Sequence, residues 1–221
     1  AECFRFGGDR AFLDAHWPHV ERACAFLATL RRARLDAAYD MPEKRAFRGL
    51  LPESASHEGY LAHPVHSYWD DFWAVRALGD AAFLASARGD VAQAKAFLAE
   101  RDAMRADVRA SLELTIATRG IAYVPGSVEW ADFDPTATSN AISLLGETAL
   151  LPEPQLHATY AQYLDGFRRR RDGAMPWKNY TAYEVRIVGA LVLLGERAAA
   201  NELADFLLAD RRPPAWGQWP G

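Results

Sequence analysis

The sequence predicts an all-α protein built from antiparallel helical hairpins. Apolar residues recur at helical spacing along most of the chain, β-branched alternating runs are rare, and Gly or Pro separates the periodic stretches. The composition, 50% hydrophobic and 24% charged over 221 residues, is that of a globular chain that can bury a core. Because no Ser/Gly-rich or charged linker divides the chain, we expect one domain over residues 1–221.

The predicted elements follow one another in a simple order. Residues 9–35 form the first helical stretch, in which Pro18 predicts a kink. The buried stripe of this stretch is predicted to be Phe12, Val20, Cys24, Leu27 and Leu30. Residues 36–65 are polar and broken, which predicts a long loop, and loops of that length usually carry a function. Six further helices are predicted, which makes seven: 67–88, 91–119, 135–148, 153–171, 181–195 and 197–209.

Three of these helices are predicted to begin alike. Ser67 to Asp70 and Thr181 to Glu184 fit the capping box, and Asp134 to Pro135 places a capping carboxylate before a proline. Each start leads into an apolar helix, which we expect to be buried, and then into a charged helix, which we expect at the surface. Stacked hairpins of this kind predict a solenoid or a closed toroid, with the loops before the inner helices gathered on one face.

Charge and hydropathy exclude two classes of partner. The net charge is −4, and apart from Arg168 to Arg171 the basic residues are scattered, so we expect no nucleic acid. The longest apolar runs are too short to cross a bilayer, so we expect no membrane. The sequence is predicted to be soluble, with the cytoplasm favoured and a periplasmic or secreted location left open.

The sequence predicts neither a cofactor nor a metal. It contains no phosphate-binding loop, no dinucleotide-binding glycine motif and no Cys/His cluster at metal-ligand spacing. His57, His63 and His66 match no zinc pattern, and we expect them to form hydrogen bonds in the loop or at a ligand subsite. Cys24 is predicted to be a small buried residue and not a partner of Cys3.

Six segments carry a family resemblance. They are Asp9 to Val20 ("D-x-x-F" and "W-P-x-V"), "GLLPES" (49–54), "SYWDDFW" (67–73), "VPGSVEWADFD" (124–134), "YTAYE" (180–184) and "RRPPAWGQW" (211–219). In this order and spacing the chain resembles the six-hairpin glycosidase superfamily, the (α/α)6 toroids that include glucoamylases, trehalases and related bacterial sugar hydrolases. The resemblance implies an inverting glycoside hydrolase that acts on an oligosaccharide or glycoside without a cofactor.

The sequence departs from that family in two ways. A full toroid has twelve helices, and about seven are predicted, so we expect a partial toroid, a fragment, or part of a larger assembly in which an oligomer or an adjoining domain completes the toroid. Similar enzymes carry a carboxylate soon after a Gln-Trp pair, whereas Pro220 and Gly221 follow Gln218 and Trp219 here. The resemblance therefore leaves the usual general base without a counterpart in these residues.

Three carboxylates are the catalytic candidates. Glycoside hydrolysis by inversion uses one protonated and one ionised carboxyl group on opposite sides of the scissile bond. The resemblance points to Asp70 as the general acid, with Asp71 as the alternative and Glu129 as the second carboxylate. A structural interpretation stays open for each, because Asp70 and Asp71 lie in the first turn of a helix and Glu129 could form a surface ion pair.

Aromatic and polar residues of the same loops are predicted to bind the substrate. These are Tyr68, Trp69, Trp130, Asp132, Trp177, Tyr180, Tyr183, Glu184, Trp216, Gln218 and Trp219. Trp73 is predicted to belong to the core, Asp134 to cap a helix, and Glu184 to complete a capping box. The alternative function is a non-catalytic glycan-binding or scaffold domain, and lyases, phosphorylases and epimerases also use this architecture.

Overall fold

The computed structural model describes residues 1–56, 58–176, 182–211, 215 and 217, and the predicted all-α class is confirmed for them. Extended backbone in this part of the chain pairs only as isolated bridges, such as Ser54 with Val65. The described helices are α1 (Glu2–Gly7), α2 (Arg10–Arg32), α3 (Tyr68–Arg88), α4 (Val91–Arg119), α5 (Pro135–Ser139), α6 (Glu153–Arg171), α7 (Val185–Leu193) and α8 (Arg197–Ala209). None of them is long and apolar enough to cross a membrane.

The chain divides into two compact units. Unit 1 comprises Ala1–Thr115 and Ser127–Trp130, and unit 2 comprises Ile116–Gly126 and Ala131–Gly221. The single domain and the toroidal arrangement of hairpins remain predictions. Each unit has its own buried core.

Helix α2 continues through Pro18. The proline at which a kink was predicted does not end the helix. At the start of α2, Asp9 is the N-cap and accepts a hydrogen bond from Phe12 N. The predicted stripe was wrong at Phe12, whose side chain is 51% exposed, because the buried face runs one position later, through Leu13 and Trp17. Leu13 and Trp17 pack in a cluster with Leu84, Ala85 and Ala94, which joins α2 to α3 and α4.

The two cysteines of unit 1 differ in environment. Cys24 is buried on α2, as predicted, and Cys3 is exposed, and neither forms a disulfide. Burial raises the pKa of the Cys24 thiol to about 11, so it stays protonated and unreactive.

The buried guanidinium of Arg31 connects three segments of unit 1. Its Nε donates to the carbonyl oxygen of Gly49 at 3.1 Å, and its two terminal nitrogens bind the carboxylates of Glu100 and Asp107 on α4. Gly49 N in turn donates to Arg34 O. One charged side chain therefore holds together the last turn of α2, the loop at Gly49 and helix α4.

The predicted long loop contains short turns of 3₁₀-helix. These are Ala37–Asp40, Arg45–Phe47 and Glu58–Tyr60. The first is capped by Asp36, which accepts from Ala38 N. The last turn lies between Ser54 and Val65, which pair as an isolated bridge. This bridge brings the two ends of residues 54–65 together shortly before α3 begins.

Unit 2 has its core along α6, α7 and α8. Asp134 caps α5 by accepting from Thr136 N and Ala137 N, as predicted. The helix predicted for 135–148 is broken, because Asn140–Leu144 form a π-helical turn in which Leu145 N donates to Asn140 O. Asn140 is fully buried, and neither amide atom has a hydrogen-bond partner in the part of the chain that the structure describes.

The close approach at Gly49 gives a stability prediction. A Cβ atom on Gly49 would overlap the carboxylate of Asp107, and φ is +71°. At Gly120 φ is +64°, but a Cβ atom would meet nothing within 4 Å. We expect Gly120→Ala to lower the free energy of unfolding by about 1–2 kcal/mol through backbone strain. Gly49→Ala should cost about 1–3 kcal/mol more, because it also displaces Asp107 from Arg31.

Urea unfolding of the two variants measures this difference. Equal losses of stability in Gly49→Ala and Gly120→Ala would show that the contact with Asp107 contributes nothing beyond the backbone conformation.

Candidate functional site

The candidate site of unit 1 lies at the start of α3. Ser67 pairs with Ser127 as an isolated bridge, and Val128 N donates to His66 O at 3.1 Å. This pairing places the segment with Glu129 beside the residues that precede α3. Asp70, Asp71 and Glu129, all predicted as catalytic, therefore belong to one compact unit.

Asp70 is held by two serine hydroxyls of the preceding loop. Ser54 Oγ donates to Oδ2 at 2.6 Å, and Ser56 Oγ donates to Oδ1 at 2.8 Å. Ser56 has a positive φ of 50°, a strained conformation for serine that turns the loop toward Asp70. The predicted capping box at Ser67 was wrong, because Ser67 makes no side-chain capping bond and its Oγ lies 3.2 Å from Ser56 Oγ. Asp70 is partly exposed and within reach of a ligand.

Asp71 is 1% exposed. Its Oδ1 accepts from Leu51 N at 2.9 Å, and its Oδ2 has no hydrogen-bond partner among the described residues. Burial raises the pKa of Asp71 well above its usual value; the Leu51 N–H opposes this, the charge of Asp70 adds to it, and Arg34 and Arg31 oppose it. The catalytic role predicted for Asp71 as the alternative to Asp70 stays a prediction; in this structure its carboxyl group is buried and holds the loop at Leu51.

Glu129 is bound at both oxygens by one residue. His66 N donates to Oε2 at 2.9 Å, and His66 Nδ1 lies 2.7 Å from Oε1. Burial raises the pKa of Glu129, but the bonds and charge of His66 outweigh it, so the pKa is lowered and the carboxylate is ionised. The Glu129 side chain keeps 32% of its surface exposed. The carboxylate of Glu129 therefore pairs with a buried histidine.

The aromatic residues of unit 1 divide into core and surface. Tyr68 is fully buried, and its hydroxyl lies 2.9 Å from Ser111 Oγ and 3.0 Å from Thr115 Oγ1. The substrate-binding role predicted for Tyr68 is corrected, because this ring packs in the core. Trp69 is partly buried, whereas Trp130 is 46% exposed.

Trp130 and Trp73 present aromatic surface to the solvent. The ring of Trp130 meets Tyr60 edge-on at 5.3 Å, with His63 at 6.3 Å. Trp73, predicted to be in the core, is 44% exposed because its position on α3 faces outward. Of the two, Trp130 belongs to the segment that carries Glu129 and directly follows it in the chain.

The remaining described candidates lie in unit 2. Glu184 is buried, and both of its oxygens accept from Arg170, at 3.1 and 2.9 Å. Tyr163 OH donates to the same carboxylate at 2.5 Å. Tyr183 and Asp132 are partly exposed, and the backbone oxygen of Asp132 accepts from Gly126 N at 2.9 Å. The Glu184 carboxylate is therefore occupied by its protein partners.

A cavity of about 540 Å³ lies beside this buried ion pair in unit 2. Its lining includes Phe133 and Asp134 at the start of α5, Tyr163 and Arg170 on α6, and Glu184. The volume falls within the range of about 300–1,000 Å³ that is usual for small-molecule sites.

Some predicted residues lie outside the described part of the chain. These are His57, Trp177, Tyr180, Thr181, Trp216, Gln218 and Trp219. Among the residues that are described, no group of three or more His, Cys, Asp or Glu side chains could hold a metal ion.

Sequence reasoning missed the partners of the two carboxylates. Nothing in the spacing of Ser54, Ser56 and His66 marks them as partners of Asp70 and Glu129, because the contacts depend on how the loop folds back through its bridge to Val65. The placement of all three in loop segments rich in aromatic and acidic residues is the one sequence signal that points to them.

No known protein family, no curated protein and no solved structure matches this chain.

The buried carboxyl group of Asp71 makes a prediction about pH. Its folded-state pKa is raised, so the stability that the protonated group contributes is present below about pH 4, the usual aspartate value, and is lost as the pH rises toward the folded pKa. Each pKa unit by which the folded-state value exceeds the unfolded-state value changes the free energy of unfolding by about 1.4 kcal/mol. We expect the free energy of unfolding of the wild type, minus that of Asp71→Asn, to fall as the pH rises.

Urea unfolding between pH 4 and pH 8 measures this difference, with Asp70→Asn as the neighbouring control. If the free energy of unfolding of the wild type, minus that of Asp71→Asn, rises with pH, the folded protein favours the ionised form of Asp71. That result would contradict the prediction.

Proposed function

We propose that unit 1 carries the acid–base site of a carbohydrate-active enzyme, an inverting hydrolase of a glycoside or oligosaccharide. The single observation that supports this most is that two ligand-accessible carboxylates stand in contrasting surroundings. Asp70 is held by neutral hydroxyls, whereas Glu129 is held ionised by His66. Groups whose environments differ in this way suit opposite roles in acid–base catalysis.

Asp70 is the proposed general acid. Serine hydroxyls can both donate and accept, so Ser54 and Ser56 can hold the carboxyl group in either protonation state. Protonated Asp70 would give its proton to the glycosidic oxygen as the bond from that oxygen to C1 breaks.

Glu129 is the proposed general base. It would take a proton from a water molecule as the water oxygen bonds to C1 from the opposite face of the sugar. One proton leaves Asp70 and one arrives at Glu129, and exchange with solvent restores both groups. The exposed ring of Trp130 suits the C–H face of a sugar ring beside this base.

The remaining predicted contacts keep supporting roles. Trp69 adjoins Asp70 and stays proposed as a substrate contact. In unit 2, Asp132, Tyr183 and Glu184 stay proposed as ligand contacts, with Glu184 acting through Arg170, which it binds at both oxygens.

Leaving-group dependence tests the two roles separately. Aryl glycosides with a good leaving group, such as dinitrophenol, do not depend on protonation, whereas alkyl glycosides and disaccharides do. We expect Asp70→Asn to lower kcat/KM on a disaccharide by about 10²–10⁴-fold and to retain most of the activity on the dinitrophenyl substrate. Glu129→Gln should lower kcat/KM by a similar factor on both the disaccharide and the dinitrophenyl substrate, because the reaction of each requires an activated water molecule.

Glu113→Gln on α4 is the matched control, since Glu113 is exposed and pairs with Arg109 at the surface. Proton NMR of the first-formed product should show the inverted anomer. Rates on all substrates that are equal in wild type, Asp70→Asn and Glu129→Gln would remove both assignments. Sugar binding without turnover in the wild type would favour the non-catalytic glycan-binding alternative.

A further inference from the structure

We infer that His66 is the positioning residue of Glu129. Arg34 and Glu53 determine which ring nitrogen of His66 carries a proton, so that Nδ1–H donates to Glu129. This inference rests on the proposed function for its effect on catalysis. The effect of His66 on Glu129 itself can be measured without any substrate.

His66 holds the Glu129 carboxylate with two donors from a single residue. The backbone N–H reaches one oxygen at 2.9 Å and ring Nδ1 reaches the other at 2.7 Å. Two bonds to the two oxygens fix the plane of the carboxylate as well as its position.

The ring itself is fixed by its surroundings. His66 is 9% exposed, and its ring packs against Phe47 with centroids 4.6 Å apart. The bridge that pairs Ser67 with Ser127 holds the backbone on the C-terminal side of His66. The imidazole therefore has little freedom to turn away from Glu129.

The second ring nitrogen meets charged groups of both signs. Nε2 lies 3.4 Å from Arg34 Nε and 3.5 Å from Glu53 Oε2, while Arg34 Nη2 binds that same oxygen at 2.8 Å. Arginine only donates, so in the neutral ring Nε2 is the acceptor and Nδ1 carries the proton. If the ring gains a second proton, Nε2–H faces Glu53.

Nδ1–H consequently points to Glu129 in both protonation states of the ring. A base supported in this way keeps its orientation with either form of the ring. In the part of the chain that the structure describes, the charged groups that contact the His66 ring are Arg34, Glu53 and Glu129.

Substitutions at His66 separate positioning from simple structural support. His66→Asn can place an amide N–H near the position of Nδ1, whereas the longer His66→Gln carries its amide near the position of Nε2. His66→Ala has neither, and all three keep the backbone N–H. Direct NMR titration of the Glu129 carboxyl carbon, in the whole chain with the Glu residues labelled, is the substrate-free measurement.

We expect His66→Ala and His66→Gln to raise the pKa of Glu129 by about one unit, and His66→Asn to return it at least halfway to the wild-type value. On a disaccharide substrate, the acidic limb of the kcat/KM profile should move to higher pH by the same amount, with kcat falling about tenfold and KM changing less than twofold.

An unchanged Glu129 titration in His66→Ala, or equal titrations in His66→Asn and His66→Gln, would overturn the inference. If His66→Ala does not fold, the comparison of the Asn and Gln variants decides the question. If the wild type hydrolyses no glycoside, the proposed function fails, and the titration still tests the pairing of His66 with Glu129.

Discussion

The arrangement of unit 1 depends on the buried guanidinium of Arg31. A buried cation is costly without partners, and here three acceptors surround it: the Gly49 carbonyl and the carboxylates of Glu100 and Asp107. This geometry holds the middle of the long loop, at Gly49, against α4, and two residues later Leu51 N donates to Asp71. The loop that serves the candidate site is thus anchored at a charged group on one side and a carboxyl group on the other.

Three carboxyl groups of unit 1 lie in three different environments, in and beside this loop. Asp71 is buried and favours its neutral form, Asp70 accepts from two serine hydroxyls, and Glu129 is paired with His66. The differences arise from what each oxygen meets, since all three residues come from segments of similar sequence character. Burial alone would raise the pKa of both Asp71 and Glu129, and the hydrogen bonds of His66 reverse the outcome for Glu129.

The helices were predictable from the sequence, whereas the contacts of the site were not. Helical spacing with Gly punctuation predicted α3, α4, α6 and α8 to within one residue, because these helices bury a regular stripe. The stripe of α2 was misplaced at Phe12, where an apolar residue faces solvent. Asp70 and Glu129 could be singled out by their motifs, but Ser54 and His66 become their partners only through pairing between segments that lie apart in the chain.

The π-helical turn at Asn140–Leu144 has an evolutionary consequence. A π turn holds one residue more than an α-helical turn, so this segment is equivalent to an α-helix with a one-residue insertion. A homologue lacking that residue would close this turn as a regular α-helix, and the chain would leave the helix at a point rotated by about 100° around its axis. Leu145, which ends the turn and is buried, would then be turned out of its place in the core of unit 2.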